Sequence, residues 1–392
     1  FGSRYSRSAM DSLASNDEQI VCGAAEDGLL PGEHEDDDLV ANRRDFFTEA
    51  DEVQDLIQRA TNPDVEPRIC RETCERVRAV WAQYQEQPGL LDPFLESMVE
   101  PLIGTIGKAI HINPSAPLTS LPNLHLLSSL LYMLTTVRGY KVVARCFPHE
   151  AADLEPCLEA AEAEAAAATA QTATWSTLYC LTLWLGVTLL TPFDLTSIDS
   201  GGPKGLAVRI LELGLLGLQS PSRTRDASAW MLGRYFARPD TATGGTLPTL
   251  VQWTKGVWTP QLNSGTSPEE GQSPAICGNK ASVAAFARCG ALQAWNQTLK
   301  AAPRPALRTV WAEVLRLMFS GPGGRGDKDF GGSSVLRKLR VAVACRSGLI
   351  ALPPRLAPWR YERGARSLLV NFGQQTGVGA FAASDTTSNS VQ

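Results

Sequence analysis

The sequence is poor in the residues that carry bond chemistry. Four histidines occur in 392 residues (His34, His111, His125 and His149), and no two share the spacing of a metal-ligand or catalytic pair. No stretch reads G-x-x-x-x-G-K-[ST], G-x-S-x-G or H-E-x-x-H. Those patterns place a phosphate cradle, an exposed nucleophile or two zinc ligands at fixed geometry. No catalytic residue, metal ligand or cofactor is therefore expected, and function is sought in binding. Alternation of apolar and polar residues, the mark of a half-buried strand, is not sustained anywhere. Long apolar runs are also missing. Ala165–Phe193 carries no charge, but it holds seven threonines, and its strongly apolar part, Leu178–Leu190, is 13 residues. A membrane span needs about 20, so a buried core helix is expected there and no membrane span. Residues 1–20 lack the apolar segment of a secretory signal. The nine cysteines are odd in number and scattered through apolar helical patterns. They are read as reduced core residues of a cytoplasmic protein.

What the chain does have is helical rhythm and an uneven charge. Apolar residues make up 44% and charged residues 20%, the balance of a folded chain. The net charge of −5 conceals two opposed ends. Residues 11–55 hold fifteen Asp/Glu against Arg43 and Arg44, a local balance of −13; residues 301–392 hold thirteen Lys/Arg against five Asp/Glu, a balance of +8. The acidic stretch, with Glu33-His34-Glu35-Asp36-Asp37-Asp38 at its centre, reads as a solvated arm over residues 1–41. The basic end faces either an acidic partner or solvent.

From about residue 42 onward apolar residues recur at 3.6-residue spacing. Cys70, Cys74, Val77, Trp81 and Tyr84 share one helix face, and Pro88-Gly89 stops it. Leu95, Met98, Leu102 and Ile106 stripe the next helix, in which Pro101 is expected to make a kink or a split. Leu124, Leu127, Leu131, Leu134 and Val137 follow, and Gly139 breaks the pattern, predicting a positive φ there. Further helices are predicted over about 174–190, 204–218, 224–237, 247–258, 279–298, 304–319, 333–350 and 358–373. Helices of this length joined by short turns predict an all-α, HEAT/armadillo-type α-solenoid over residues 42–373. Stacked pairs would bury the faces that one pair leaves open. Three segments poor in large apolar residues, 159–174 (in part helical), 261–274 and 320–334, are read as loop insertions, and 374–392 as a disordered tail.

Several local patterns are set aside. Gly321–Gly326 fits G-x-G-x-x-G, but a helix precedes it and loop follows, whereas a dinucleotide site follows a strand and opens a helix. Arg325-Gly326-Asp327 lies in the same loop and is read as chance. Cys70 and Cys74 would need two further ligands to hold zinc, so they are read as buried structural thiols. Asn296-Gln297-Thr298 matches a glycosylation acceptor in a chain without a secretory signal. The arginines after residue 337 are spaced through apolar helices, not gathered in a nucleic-acid module, so no nucleic acid is expected.

An ordered series of short motifs resembles the amino-terminal region of the tubulin-folding cofactor D family. The series comprises Tyr84–Pro88, Leu90–Pro93, Val137–Lys141, Phe147–Glu150, Ala152–Pro156, Leu183–Leu185, Pro192–Asp194, Arg225–Ala227, Arg238–Asp240 and Trp359–Gly364. The resemblance covers about residues 75–372. It implies a HEAT/armadillo solenoid that binds β-tubulin downstream of the chaperonin. It further implies joint action with sister cofactors C and E and an Arf-like small GTPase to make and break αβ-tubulin heterodimers. With those partners, and not as an enzyme by itself, such a protein promotes GTP hydrolysis on tubulin. The cytoskeleton is then its place of work. Family members are much longer than this chain, so only part of their partner surface is expected here. The chain also departs from the family at Ser176 and Leu178, where charged residues are usual.

Most motif residues fit core or turn roles. The polar and amphipathic ones at helix ends are the partner-binding candidates: Arg138, Tyr140, Lys141, His149, Asp194, Arg238 and Asp240. Arg and Tyr are enriched at interfaces. Arg238 and Asp240 are equally able to pair with neighbours and bridge repeats. Without the resemblance, the same residues would also suit an α-solenoid adaptor for a small GTPase or another protein.

Overall fold

The computed structural model describes residues 45–118, 121, 123–168, 175–243, 245–258, 280–320 and 333–352. Every regular element among them is a helix, as expected for an all-α chain. The described residues from Phe46 onward form one compact unit. In it α1 (Ala50–Ala60) and α2 (Pro67–Ala82) make a first pair, and α3 (Leu95–Ile112) and α4 (Leu124–Leu134) a second. Short α5 (Tyr140–Val143) leads to α6 (Leu154–Ala168) and α7 (Trp175–Thr188), and short α8 (Leu195–Ile198) to α9 (Leu206–Gly217) and α10 (Thr224–Tyr235). Short α11 (Pro239–Thr243) precedes α12 (Leu247–Trp258) and α13 (Lys280–Ala301), and α14 (Arg304–Ser320) and α15 (Ser334–Ala351) complete the described pairs.

The pairs stack in two layers. The second helix of each pair touches the second helix of the next, in the order α2, α4, α7, α10, α13, α15. The first helices run α1, α3, α6, α9, and α12 packs on α14. This is the repeat logic the apolar rhythm calls for: each pair hides its open face against its neighbours.

Helix α7 shows the logic at its strongest. Twelve of its fourteen residues are buried, because α4, α6 and α10 surround it. A helix apolar on every side belongs in a core or a membrane, and no described helix is long and apolar enough to cross a membrane. Each large aliphatic or aromatic side chain buried there contributes about 1.5–3 kcal/mol relative to exposure. Trp184 is fully enclosed, and its Nε1 donates to the Pro148 carbonyl at 2.9 Å, which satisfies its one donor.

One sequence expectation needs correction. Glu159–Ala168, read as part of a partly helical insertion at a loop tip, is the body of α6. Its alanines do not mark a loop tip. Ala160, Ala161 and Ala165 are buried against neighbouring helices, where small side chains allow close approach. Of the kink or split expected at Pro101, the split is absent: α3 runs unbroken from Leu95 to Ile112. Burial of Met98, Val99, Leu102 and Ile103 around the proline holds the helix across the missing hydrogen bond. The segments expected as arm (1–41), insertion (261–274) and tail (374–392) lie outside the described residues, as does the helix expected over 358–373. Only the two ends of the 320–334 segment are described: Ser320 ends α14, and Ser333 caps α15 through its side chain.

Cys70, Cys74, Cys157, Cys180 and Cys289 are buried free thiols. Burial pushes the Cys157 and Cys180 thiols well above their ordinary value. The hydrogen bond shared with Cys70, then burial, does the same for Cys74. Such thiols are inert packing groups.

Close helix approach depends on glycines. A Cβ at Gly290 would lie 2.1 Å from the Leu218 carbonyl oxygen, backbone that cannot swing aside. Gly290→Ala is therefore expected to cost about 2 kcal/mol or more, read as a lowered thermal midpoint. At Gly256, also inside a helix, a Cβ meets nothing within 4 Å. Gly256→Ala should stabilise by about 0.5–1 kcal/mol in the same assay.

Candidate partner-binding edge

Three motifs that lie far apart in sequence, Val137–Lys141, Pro192–Asp194 and Arg238–Asp240, follow the carboxyl ends of α4, α7 and α10. Thr135–Gly139 forms a single π-helical turn after α4, a local distortion common at functional sites. Gly139 has φ 95° and ψ 131°, a conformation that costs glycine little and any other residue much. A Cβ there would meet nothing within 4 Å, so the dihedral and not crowding requires the glycine. The expected positive φ is thus present.

Arg138 lies in this turn and grips Asp92 with Nε on Oδ1 and Nη2 on Oδ2, the latter at 2.7 Å. The carboxylate raises the Arg138 pKa above its ordinary value, and the fork ties the end of α4 to the 3-10 turn Pro88–Phe94. The Tyr140 ring meets the Trp230 ring edge-on at 5.7 Å. Arg234 lies over the other part of this cluster, 3.7 Å from the Trp230 ring centroid, and its Nη1 donates to the Gly186 carbonyl at 2.9 Å. Burial pulls Arg234 down to about 10, so it stays protonated at neutral pH. Lys141, His149 and Asp194 are exposed.

Arg238 and Asp240 turn out to be a buried clamp. Arg238 Nη1 donates to the carbonyls of Leu189 (2.8 Å) and Thr191 (2.9 Å), and Nη2 to that of Phe193 (2.6 Å). These carbonyls follow the end of α7, where helix geometry leaves acceptors without partners. Nε and Nη2 also hold Asp240 Oδ1 and Oδ2, at 3.0 and 2.9 Å. The same carboxylate accepts the N–H of Leu195, first residue of α8, and of Thr241 in α11, both at 2.9 Å. One ion pair thereby joins the ends of α7 and α10 and caps two short helices. Burial opposes the Asp240 charge, but the hydrogen bonds from Arg238 and Leu195 outweigh it and hold its pKa below the ordinary value. The bridging role weighed for these two residues is the one their contacts show.

The Arg225–Ala227 motif bridges repeats in the same way. Arg225 Nε donates to Gln293 Oε1 at 3.0 Å, and Gln293 Nε2 donates to Asp226 Oδ1 at 2.6 Å, linking α10 to α13. Sequence reasoning passed over Phe193, which is 58% exposed beside Leu190 while its carbonyl is pinned by Arg238. A solvent-facing aromatic on a fixed backbone is a usual interface anchor. Its place in Pro192-Phe193-Asp194 was the available signal.

A two-layer stack of helix pairs tied to one another by polar clamps is the architecture of an armadillo-type repeat protein. Residues 81–257 match the family described as tubulin-specific chaperone D-like, ARM repeat. Tubulin-specific chaperone D of Dictyostelium discoideum is 24% identical over 254 residues, covering 42% of this chain and 17% of that protein. Tubulin-folding cofactor D of Schizosaccharomyces pombe is 25% identical over 304 residues, covering 76% of this chain and 23% of that protein. The resemblance drawn from the motif series is borne out by these matches, and the chain spans less than a quarter of the length of either relative. No solved structure matches the chain.

Arg238→Ala removes a buried guanidinium from the half-buried Asp240 and from three backbone carbonyls and is expected to cost about 3 kcal/mol or more. For Asp240 the sign follows from its lowered folded pKa: its contribution is present above the unfolded aspartate value near 3.9 and lost as pH falls through the folded value. Denaturant unfolding of the wild type and Asp240→Asn should show a constant stability gap from about pH 5 to 7 that closes progressively below about pH 4.

Proposed function

We propose that this chain is the binding portion of a tubulin-folding cofactor D-like chaperone. It captures β-tubulin after release from the chaperonin and takes part in αβ-tubulin heterodimer assembly and disassembly. Sister cofactors C and E and an Arf-like small GTPase act with it in the cytoplasm, and the complex promotes GTP hydrolysis on tubulin. In this reading the chain works by binding and holds no catalytic site of its own.

The observation that carries the reading is the placement of the motif series. Val137–Lys141, Pro192–Asp194 and Arg238–Asp240 are scattered over about a hundred residues, yet they follow the ends of α4, α7 and α10, with Phe147–Glu150 in the connection that leads to α6. Internal clamps fix the backbone there, and Lys141, His149, Phe193 and Asp194 are left facing outward. Such an edge is preorganised, which lowers the ordering cost of binding.

Immobilised full chain should retain β-tubulin released from chaperonin. Phe193→Ala combined with Lys141→Glu should weaken capture at least tenfold, on the order of 1.4 kcal/mol, with an unchanged helical circular dichroism spectrum. A folded wild-type chain that holds no β-tubulin, or holds any non-native protein equally well, would refute the proposal.

A further inference from the structure

Arg234 is a cation that the fold holds without an anion. It lies in the last turn of α10. Its guanidinium rests on the Trp230 ring, 3.7 Å from the centroid, and Nη1 donates to the Gly186 carbonyl at 2.9 Å. Gly186 is in the last turn of α7. The ring of Tyr140, which follows the π-helical turn after α4, meets the same Trp230 ring edge-on at 5.7 Å. The ends of three helices therefore converge on one indole. Its seat is tight, since a Cβ at Gly186 would lie 2.5 Å from the Trp230 ring.

Other arginines of the stack are matched differently. Arg138 holds Asp92, Arg209 holds Glu162 and Arg238 holds Asp240. Among the described residues no carboxylate pairs with Arg234, and its Nε and Nη2 make no hydrogen bond. Neither nitrogen is sealed from water, and the residue is half-buried. A neighbouring carboxylate raises the pKa of Arg138 and of Arg209. Burial instead draws Arg234 down to about 10, with only the Tyr140 phenol acting the other way. The surroundings thus disfavour the charge that Arg234 carries at neutral pH. The bond to Gly186 satisfies an end carbonyl of α7, a role that uses one N–H donor and needs no anion. Stacking uses the flat face of the guanidinium and leaves its edge, where the other donors lie, open to a bidentate partner.

Resting on β-tubulin as the bound protein, as proposed above, we infer that the Arg234–Trp230–Tyr140 cluster is a socket for one carboxylate side chain, Asp or Glu, of that protein. The two carboxylate oxygens take the open edge of the guanidinium, and the rings cover the methylene groups behind them. Attraction at such a part-buried place exceeds that of an exposed pair, because water screens it less. A phosphate backbone fits less well. It binds by summing contacts to several cations, and no second cation among the described residues acts on Arg234. The arginine is then a specificity element: a partner that brings an apolar or cationic group to this place leaves a half-desolvated cation unmatched.

The test measures retention of β-tubulin on the immobilised full chain for the wild type, Arg234→Met, Arg234→Lys and Arg209→Met. Arg234→Met keeps an unbranched apolar stem against Trp230. It should weaken capture about tenfold or more and flatten its salt dependence, with the helical circular dichroism spectrum retained. Arg209→Met removes an arginine already paired with Glu162; it should lower the thermal midpoint and leave capture at the wild-type level. Arg234→Lys keeps the charge and should recover most of the loss. It also places an amine in the socket, which zero-length carbodiimide coupling should join to an Asp or Glu of β-tubulin through an amide bond, located by mass spectrometry. Full capture by Arg234→Met overturns the inference. So does an Arg234→Lys variant that captures no better than Arg234→Met, or that couples to no β-tubulin carboxylate through position 234. An equal loss in Arg209→Met would assign the effect to general destabilisation and overturn it too. A folded wild type that retains no β-tubulin refutes the β-tubulin assignment itself, a failure visible before any variant is made.

Discussion

The architecture depends on the enclosure of α7. With twelve of fourteen residues buried, this helix has no face it could show to water, and only simultaneous contact with α4, α6 and α10 covers it. No single pair achieves that. Stability is therefore shared among neighbours, approximately a sum of pair and interface contributions. The price of such close stacking is that certain positions tolerate no side chain. Gly186 lies where a Cβ would come within 2.5 Å of the Trp230 ring, and Gly290 where it would strike the Leu218 carbonyl.

Stacking solves the apolar problem and creates a polar one, since every helix end leaves carbonyls and N–H groups without intrahelical partners. Here they are met across repeat boundaries. Arg238 serves the end of α7 from the end of α10, Asp240 serves the start of α8, and Arg138 joins the turn after α4 to Asp92. Groups that satisfy helix ends also freeze the loops between pairs. The loop that carries Phe193 is held in the same way, through the bond from Arg238 to its carbonyl.

Much of the fold was legible in the sequence because Pro and Gly punctuate it. Predicted helices over 224–237, 247–258, 304–319 and 333–350 differ from the observed ones by a residue or two. The failures have physical causes. Ala160, Ala161 and Ala165 look like filler in a string and act as close-packing surface in three dimensions. At Pro101 a split was one of two expected outcomes, and surrounding burial keeps α3 continuous. The candidate site was legible only in part. Arg238 reaches carbonyls 45 to 49 residues away, a distance no local pattern encodes, so its clamp role could be weighed but not chosen. Phe193 was passed over inside the motif Pro192–Asp194, because nothing in the string shows that Arg238 holds its backbone.

The thiols described with the fold have a practical corollary. Cys70, Cys74, Cys157, Cys180 and Cys289 are sealed inside the stack, whereas Cys345 stands exposed on the outer side of α15. An alkylating dye applied briefly would mark Cys345 before those five, and their slower modification would time the opening of individual repeats. The chain thus contains its own set of clocks for watching adjacent helix pairs come apart.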